Sequence, residues 1–548
     1  MLPACLTEIC IGPIYCFSMF QIPLTSLSGV VASSPDDFTT SEIMPAFSCA
    51  AIGLGVGGAF LGRWVDKVGP VRAGTVGSLF WFGSLVTSAV ASHLHSLPLL
   101  YLGYGGLGGV AWGLLYMTPV SATMKWFPDR RGLATGLTLS AFGAGAAIAP
   151  PLIEHLTSLF FIAPDFLGPL AEISLTTLPD GGQCLSSDES VKVIVATAQD
   201  AAKFGLNEGV YKLGTGDSGA AGAFASLATI YGGLALLSSQ FMSAPPPGWL
   251  PKGYVVDEEK STMGTTVGVP ARIAVQTPQF PLLWATVFGN AIGGLALISS
   301  SKLIMTDIWS NASPELVTAS FCTGYVSALG SANSFGRLSY AIASDSLGRK
   351  NTYTLFGFGL PVMVSTPYLI SNAGPDAGII PLCMFLGGST FVIANYGGVF
   401  SILPAYIADL FGSKYSNSIH GAALTAWSAS AVAGPLGLAH LRSRAERAAI
   451  EDLVEALPAG KLEATFGTTD LESLIESKTL TISRLMDLAP PGIADPTCHL
   501  YDDVFYVGGG FIFLAAVCNQ LLRPPNVQKL LRDDDKKAVF LNNVTKIK

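Results

Sequence analysis

The sequence predicts an all-α membrane protein with twelve transmembrane helices in two pseudo-symmetric six-helix bundles. Three observations carry that prediction. Of the 548 residues, 50% are hydrophobic and 12% are charged, whereas a soluble globular chain carries about 25% charged residues. Apolar stretches of the roughly 20 residues that a helix needs to cross the hydrocarbon recur about twelve times. The two halves of the chain also place similar loops at corresponding positions.

The expected spans lie near 3–27, 44–61, 73–92, 97–122, 133–157, 220–242, 279–303, 317–341, 352–371, 377–404, 418–440 and 503–522. Met1 leads almost directly into apolar sequence with no basic stretch before it, which argues against a cleaved signal peptide. Orientation follows from the short loops. Those after spans 2, 4 and 8 hold Arg63, Lys67 and Arg72, then Lys125, Arg130 and Arg131, then Arg349 and Lys350; short loops of the other parity hold no Lys or Arg. The positive-inside rule therefore puts the basic loops and both termini in the cytoplasm. The plasma membrane is the first expectation for the location, an organelle membrane the second.

The chain divides into a first bundle (1–243), a Pro-rich cytoplasmic linker (244–278, opening "APPPGWLPKGY" from Ala244), a second bundle (279–522) and a cytoplasmic tail (523–548). Two long insertions occupy corresponding outer positions, at about 164–219 and 441–502. Each is read as containing helix-like pieces, such as "RAERAAIEDLVEAL" (444–457) with its apolar residues at three and four. Surface elaboration and a lid or partner site are the two readings of these insertions. Their cysteines, Cys184 and Cys498, are the two outside predicted spans. They either pair in an oxidising compartment or remain separate loop thiols. The span cysteines, Cys5, Cys49, Cys322 and Cys518 among them, are read as packing residues.

Paired loops mark a duplicated six-helix unit, a common transporter build. "GRWVDKVGPVR" (62–72) answers to "SDSLGRK" (344–350), and "KWFPDRRG" (125–132) to "ADLFGSKYSNSIHG" (408–421). At Gly62, Asp66, Lys67, Gly69 and Arg72 the first loop resembles the loop 2–3 signature of the major facilitator superfamily. Asp66 there suits a helix-end cap and a basic partner, latching one closed state. Asp345 and Arg349 stand in the second copy, where Ala341 replaces the first glycine. Within the superfamily, "KWFPDRRGLATGL" (125–137), "PPPGW" (245–249), "TPQFPLLW" (277–284) and "NSFGRLSYAIASDSLGRK" (333–350) resemble the oxalate/formate antiporter family. "DPTCHLYDDVFYVGGG" (495–510) looks like its monocarboxylate-type members. The resemblance implies the superfamily's two-bundle fold, alternating access and a small carboxylate substrate.

Arg337 is the residue on which function turns. No charge precedes it from Phe321 to Gly336, and Asp345 lies eight residues on, roughly 12 Å along a helix. An arginine at that depth is costly and normally faces a cavity or partner. Its planar fork matches a carboxylate with two parallel hydrogen bonds. The functional reading is a substrate ligand; a structural ion pair or snorkelling to the interface is the alternative. The family's essential span-8 arginine matches Arg337.

The family's oxalate-exchanging members also carry a lysine in span 11, and Trp427 stands there in this chain. Lys302, near the end of span 7, either snorkels beside Asp307 or supplies a second positive charge. By resemblance Tyr15, Tyr116, Phe142, Tyr396 and Phe400 line the substrate cavity. Asn290 and Asn395 either line the path or make interhelical hydrogen bonds. Glu8 lies seven residues before Tyr15, on one face of a continuous helix. Burial disfavours its charged form, which suits a proton-coupling role; otherwise it reaches the interface.

The reading is therefore a secondary carrier of a small carboxylate, pyruvate or lactate first, coupled to a proton or a counter-anion. Oxalate/formate exchange is the alternative within the class, and a non-transporting nutrient receptor on the same fold the alternative outside it. No nucleophile motif appears, and His93 and His95 form an isolated pair, so neither enzymatic activity, cofactor nor metal is expected. No basic stripe or zinc spacing points to nucleic acid. The expected surroundings are the lipid bilayer, and the expected state is monomeric.

Overall fold

The protein is described by a computed structural model. It describes residues 1–127, 131–178, 181–202, 204–246, 269–373, 378–412, 415–526 and 530, without the side chains of 57–60, 62, 63, 66, 131–133, 416 and 417. Much of the linker, most of the tail, and the surroundings of Gly62 and Asp66 thus lie outside the described residues.

The first bundle begins with α1 (Leu2–Ile11), a tight 3-10 turn (Gly12–Cys16) and α2 (Ser18–Leu24). It continues with α3 (Thr40–Val68), α4 (Pro70–His93), α5 (Leu97–Trp126), α6 (Arg131–Phe160) and α7 (Ala220–Gln240). The second comprises α8 (Gln279–Trp309), α9 (Ala319–Leu347), α10 (Arg349–Ser371), α11 (Ile380–Phe411), α12 (Ser416–Ala456) and, after its insertion, α16 (Asp502–Leu521). Among the described residues nine helices are long and apolar enough to cross a bilayer, ten with the bent α1–α2 pair. α3 and α9 occupy the second and eighth expected places. α9 is 29 residues long, but Ser, Asn and Arg dilute its apolar character.

Two expectations for the spans are corrected. The first is not one straight helix: it bends by 47° between Cys16 and Ser18, after a segment opening with Gly12 and Pro13, and Pro13 has no N–H to give. The eleventh does not stop at 440; α12 runs on to Ala456 and carries the helical pattern of 444–457 as its own continuation. α8 is interrupted at Ser300 (φ −131°, ψ 18°).

Gly69, Gly348 and Gly412 end α3, α9 and α11 with nearly the same backbone, φ 83–85°. L-residues with a Cβ rarely adopt that conformation, so glycine fixes these reversals at one end of both bundles.

The insertions rise from the opposite end. The first is β-rich, where helix-like pieces were expected. β1 (Phe161–Ile162) pairs antiparallel with β7 (Asp217–Ser218). β2 (Phe166–Gly168), β3 (Leu175–Thr177), β4 (Gln183–Leu185), β5 (Asp188–Ala196) and β6 (Gly209–Lys212) form an antiparallel sheet in the order β2-β6-β5-β4-β3. Side chains alternate across a strand. Val191, Val193 and Val195 accordingly share one cluster with Val210, while Ile194 and Ala196 pack with Val31 and Tyr211. The second insertion is helical beyond α12: α13 (Lys461–Phe466), α14 (Leu471–Glu476) and α15 (Ile482–Leu488).

The insertions dock on each other across the two halves. Arg484 donates to Gln183 Oε1 (3.1 Å) and packs over Phe466, 4.8 Å from the ring centre. Thr479 donates to the Gly181 carbonyl (2.7 Å), and Ser483 to Gln199 Oε1 (2.9 Å). Cys184 and Cys498 are not bonded to each other. Each thiol donates to a carbonyl of its own insertion, Thr176 and Asp495 respectively. Cys49 and Cys383 are exposed on the bundle, so the packing role expected of span cysteines does not extend to them.

Candidate functional site

α9 lies in the middle of the molecule, against α6 of the first bundle and α11 of its own. Small residues let the backbones approach. A Cβ on Gly330 would come within 2.7 Å of the Ala146 backbone, and one on Gly397 would collide with the Asn333 carbonyl. Arg337 projects from this packed core and is 3% exposed. Its Nε donates to Asn333 Oδ1 one helical turn back (2.9 Å), while Nη1 is buried without a partner.

Aromatic rings from both bundles enclose the guanidinium. Its carbon lies 5.4 Å from the Phe142 ring centre and 5.8 Å from that of Phe400, within cation–π range. Tyr116 adds a further ring to this cluster, edge-on to Phe142 at 6.0 Å. Tyr15 and Tyr396 join their hydroxyls across the bundles at 2.7 Å, and Trp427 Nε1 donates to Tyr396 (3.0 Å). Edge contacts of 4.9 Å between Tyr15 and Phe142 and 5.1 Å between Tyr396 and Phe400 close the cage. The sequence-selected residues Arg337, Tyr15, Tyr116, Phe142, Tyr396, Phe400 and Trp427 thus come together from helical segments of both halves.

Two members were not singled out. Trp112 stacks on Phe142 and meets Trp427 edge-on at 5.4 Å; its Nε1 is buried without a partner. The usable signal was its position one turn before Tyr116. Asn333, likewise one turn before Arg337, orients the guanidinium.

Glu8 is fully buried and neither carboxylate oxygen has a partner. It is buried inside the protein, within electrostatic range of Arg337 and Tyr116. The strict two-turn spacing to Tyr15 is lost in the intervening 3-10 segment, yet both residues stand near the same guanidinium. Lys302 does not sit beside a free Asp307. That carboxylate holds Arg442 (2.9 Å) and Tyr501 (2.8 Å), and the ionisable neighbours of Lys302 are Glu154 and Cys322. Asn395 accepts from Tyr340 (2.7 Å), and Asn290 bonds within its own helix. At the glycine-turn end Lys67 is exposed. Arg349 pairs with Asp345 (2.5 Å) and approaches Asp409 (3.9 Å).

Beside the cage lies a cavity of about 10 Å³ whose lining includes Tyr15, Cys16, Ser301, Gly330 and Asn333, room for about one water.

Two helical bundles thus bury a cation at their shared centre. Residues 12–168 match the Major Facilitator Superfamily. The chain is 24% identical over 425 residues to apicoplast pyruvate carrier 1 of Toxoplasma gondii, covering 75% of this chain and 71% of that one. It is 24% identical over 430 residues to the oxalate:formate antiporter of Oxalobacter formigenes, covering 78% and 79%. The inward-facing structure of a bacterial homologue of the human lysosomal transporter Spinster shares the fold, with a TM-score of 0.56 at 16% identity over 97% of each chain. The chain thus resembles multi-pass transporters of the Major Facilitator Superfamily in fold and, over residues 12–168, in sequence.

Proposed function

We propose that the protein carries small monocarboxylates, pyruvate or lactate foremost, by alternating access around Arg337. The observation that carries this reading is an excess of buried donors at the centre. Arg337 Nη1, Trp112 Nε1 and Asn333 Nδ2 all lack acceptors. Buried donors left unmet are costly, so the site is complementary to an acceptor-rich anion. One carboxylate on the guanidinium satisfies it with charge-assisted bonds. The apolar faces of Phe142 and Phe400 accommodate a short carbon chain.

Charge count favours one carboxylate over two. Where oxalate-exchanging relatives are expected to hold a second cation, this chain has Trp427, whose N–H is committed to Tyr396. Arg337 is the cation that acts on the hydroxyls of Tyr15, Tyr116 and Tyr396. A dianion would enter with one charge unmatched. The relatives' names, a pyruvate carrier and an oxalate:formate antiporter, agree with a small carboxylate. Glu8 is assigned the coupled proton, since an ionised carboxylate without hydrogen bonds in a buried site is strongly disfavoured. The glycine-turn loops face the cytoplasm in this reading, and the docked insertions cap the outer side.

Counterflow of labelled pyruvate, lactate and oxalate in proteoliposomes tests the proposal. Saturable exchange of the monocarboxylates in preference to oxalate is expected. Oxalate exchange outrunning both, or no carboxylate exchange at all, overturns it.

A further inference from the structure

Asn333 has a geometry that the carboxylate alone does not use. Arg337 Nε carries only a hydrogen, so its 2.9 Å contact requires the amide oxygen. That fixes the orientation of the side chain, which is otherwise ambiguous between its O and N ends. The amide nitrogen is left buried with no acceptor, and Asn333 forms part of the wall of the small cavity shared with Tyr15, Cys16 and Ser301. Gly397, whose missing side chain makes room for Asn333, keeps α11 close and the amide in place. Two residues one turn apart on the same helix face thus offer different chemistry: a charged donor at Arg337 and a neutral, pre-oriented donor at Asn333.

We infer that Asn333 is a specificity-determining residue that reads an oxygen on the carbon next to the carboxylate, so that the substrate class is short 2-oxo and 2-hydroxy acids rather than plain fatty acids. The inference rests on the carboxylate reading of Arg337. The carboxylate takes the guanidinium, and the neighbouring carbonyl or hydroxyl oxygen accepts from the amide N–H. A site built to hydrogen-bond a substrate oxygen rejects the analogue without it far better than an apolar pocket rejects a missing methylene. Its own donor would otherwise stay buried and unmet.

The test compares pyruvate, lactate and propionate as competitors of labelled pyruvate counterflow by the reconstituted full chain. Propionate matches pyruvate in carbon count and lacks the oxygen at carbon 2. The wild type is expected to prefer pyruvate and lactate over propionate by about tenfold or more. Asn333→Ala also removes the acceptor of Arg337 Nε and so weakens all three acids, but it is expected to weaken the two oxygenated acids far more, bringing that ratio near one. Equal competition by all three in the wild type overturns the inference without any variant. An unchanged ratio in Asn333→Ala, with all three weakened together, also overturns it, because Asn333 would then act only by holding Arg337. Absence of exchange with every carboxylate overturns the carboxylate reading itself, and the inference with it.

Discussion

Two buried arginines of the second bundle make the most instructive comparison. Arg442, on α12 near the insertions, is fully engaged. It bonds Asp307 (2.9 Å), Glu446 (2.8 Å) and Tyr501 (3.0 Å). Arg337, at the centre, has one amide oxygen, two ring faces and an unpartnered Nη1. Both carry the same desolvation penalty in kind. At Arg442 the protein offsets it with its own carboxylates, which makes a structural joint between α8, α12 and α16. At Arg337 no carboxylate among the described residues bonds the guanidinium and Nη1 stays unmet, which fits the proposed role as a ligand for substrate.

The largest expected effect separates the two directly. Arg337→Lys replaces a planar fork with a point charge. Losing that charge-assisted bidentate contact should lower carboxylate counterflow by about 100-fold or more, while the detergent-purified protein melts close to wild type. Near-normal exchange would remove Arg337 from the substrate site. Arg442→Ala should do the reverse. It leaves Asp307 buried and uncompensated, at a cost of about 3–5 kcal/mol, so thermal stability should fall sharply; a melting curve like the wild type's would show that the joint carries no weight.

Next in size is Glu8→Gln, which keeps the shape and removes the titrating group. Exchange should persist, whereas accumulation driven by an imposed pH gradient should disappear. Retained gradient-driven accumulation would place the coupled proton elsewhere. Trp427→Lys should raise the oxalate-to-pyruvate ratio, on the order of tenfold for one added buried charge contact. A folded variant with an unchanged ratio would mean that this position does not face the substrate.

The smallest effect concerns the docked insertions. Arg484→Met keeps the stem over Phe466 and deletes the bonds to Gln183 and Thr479. Faster amide exchange is expected in 183–196 and 478–488, with counterflow changed by less than about twofold, since distant changes leave the site's contacts intact. Unchanged exchange would show that the insertions hold together without this arginine.

Much of the fold was legible because membrane burial writes itself plainly. Long apolar runs form helices that satisfy their own backbone in a bilayer, and glycine-bearing turns end them where φ is positive. The first insertion was misread although its alternation, "VKVIVATA" from Val191, was there to see; a short period-two run among helices carries little weight until strands from distant positions pair with it. The bend after Gly12–Cys16 was missed because apolar composition records length, not straightness.

For the site, the sequence by itself determined that an arginine follows a long uncharged run, and resemblance supplied the aromatic partners. Tertiary structure decided what each does with its hydrogen bonds. Asp307 could have served Lys302 or Arg442, and only the packing of α8 against α12 and α16 gave it to Arg442. Asn333 and Trp112 look like ordinary helix residues in the chain; they matter because folding buries their N–H groups beside Arg337 without acceptors. Hydrophobic pattern is local and additive, so one dimension records it. Which buried donor remains unmet depends on every neighbour at once, and that is fixed only when the helices close around it.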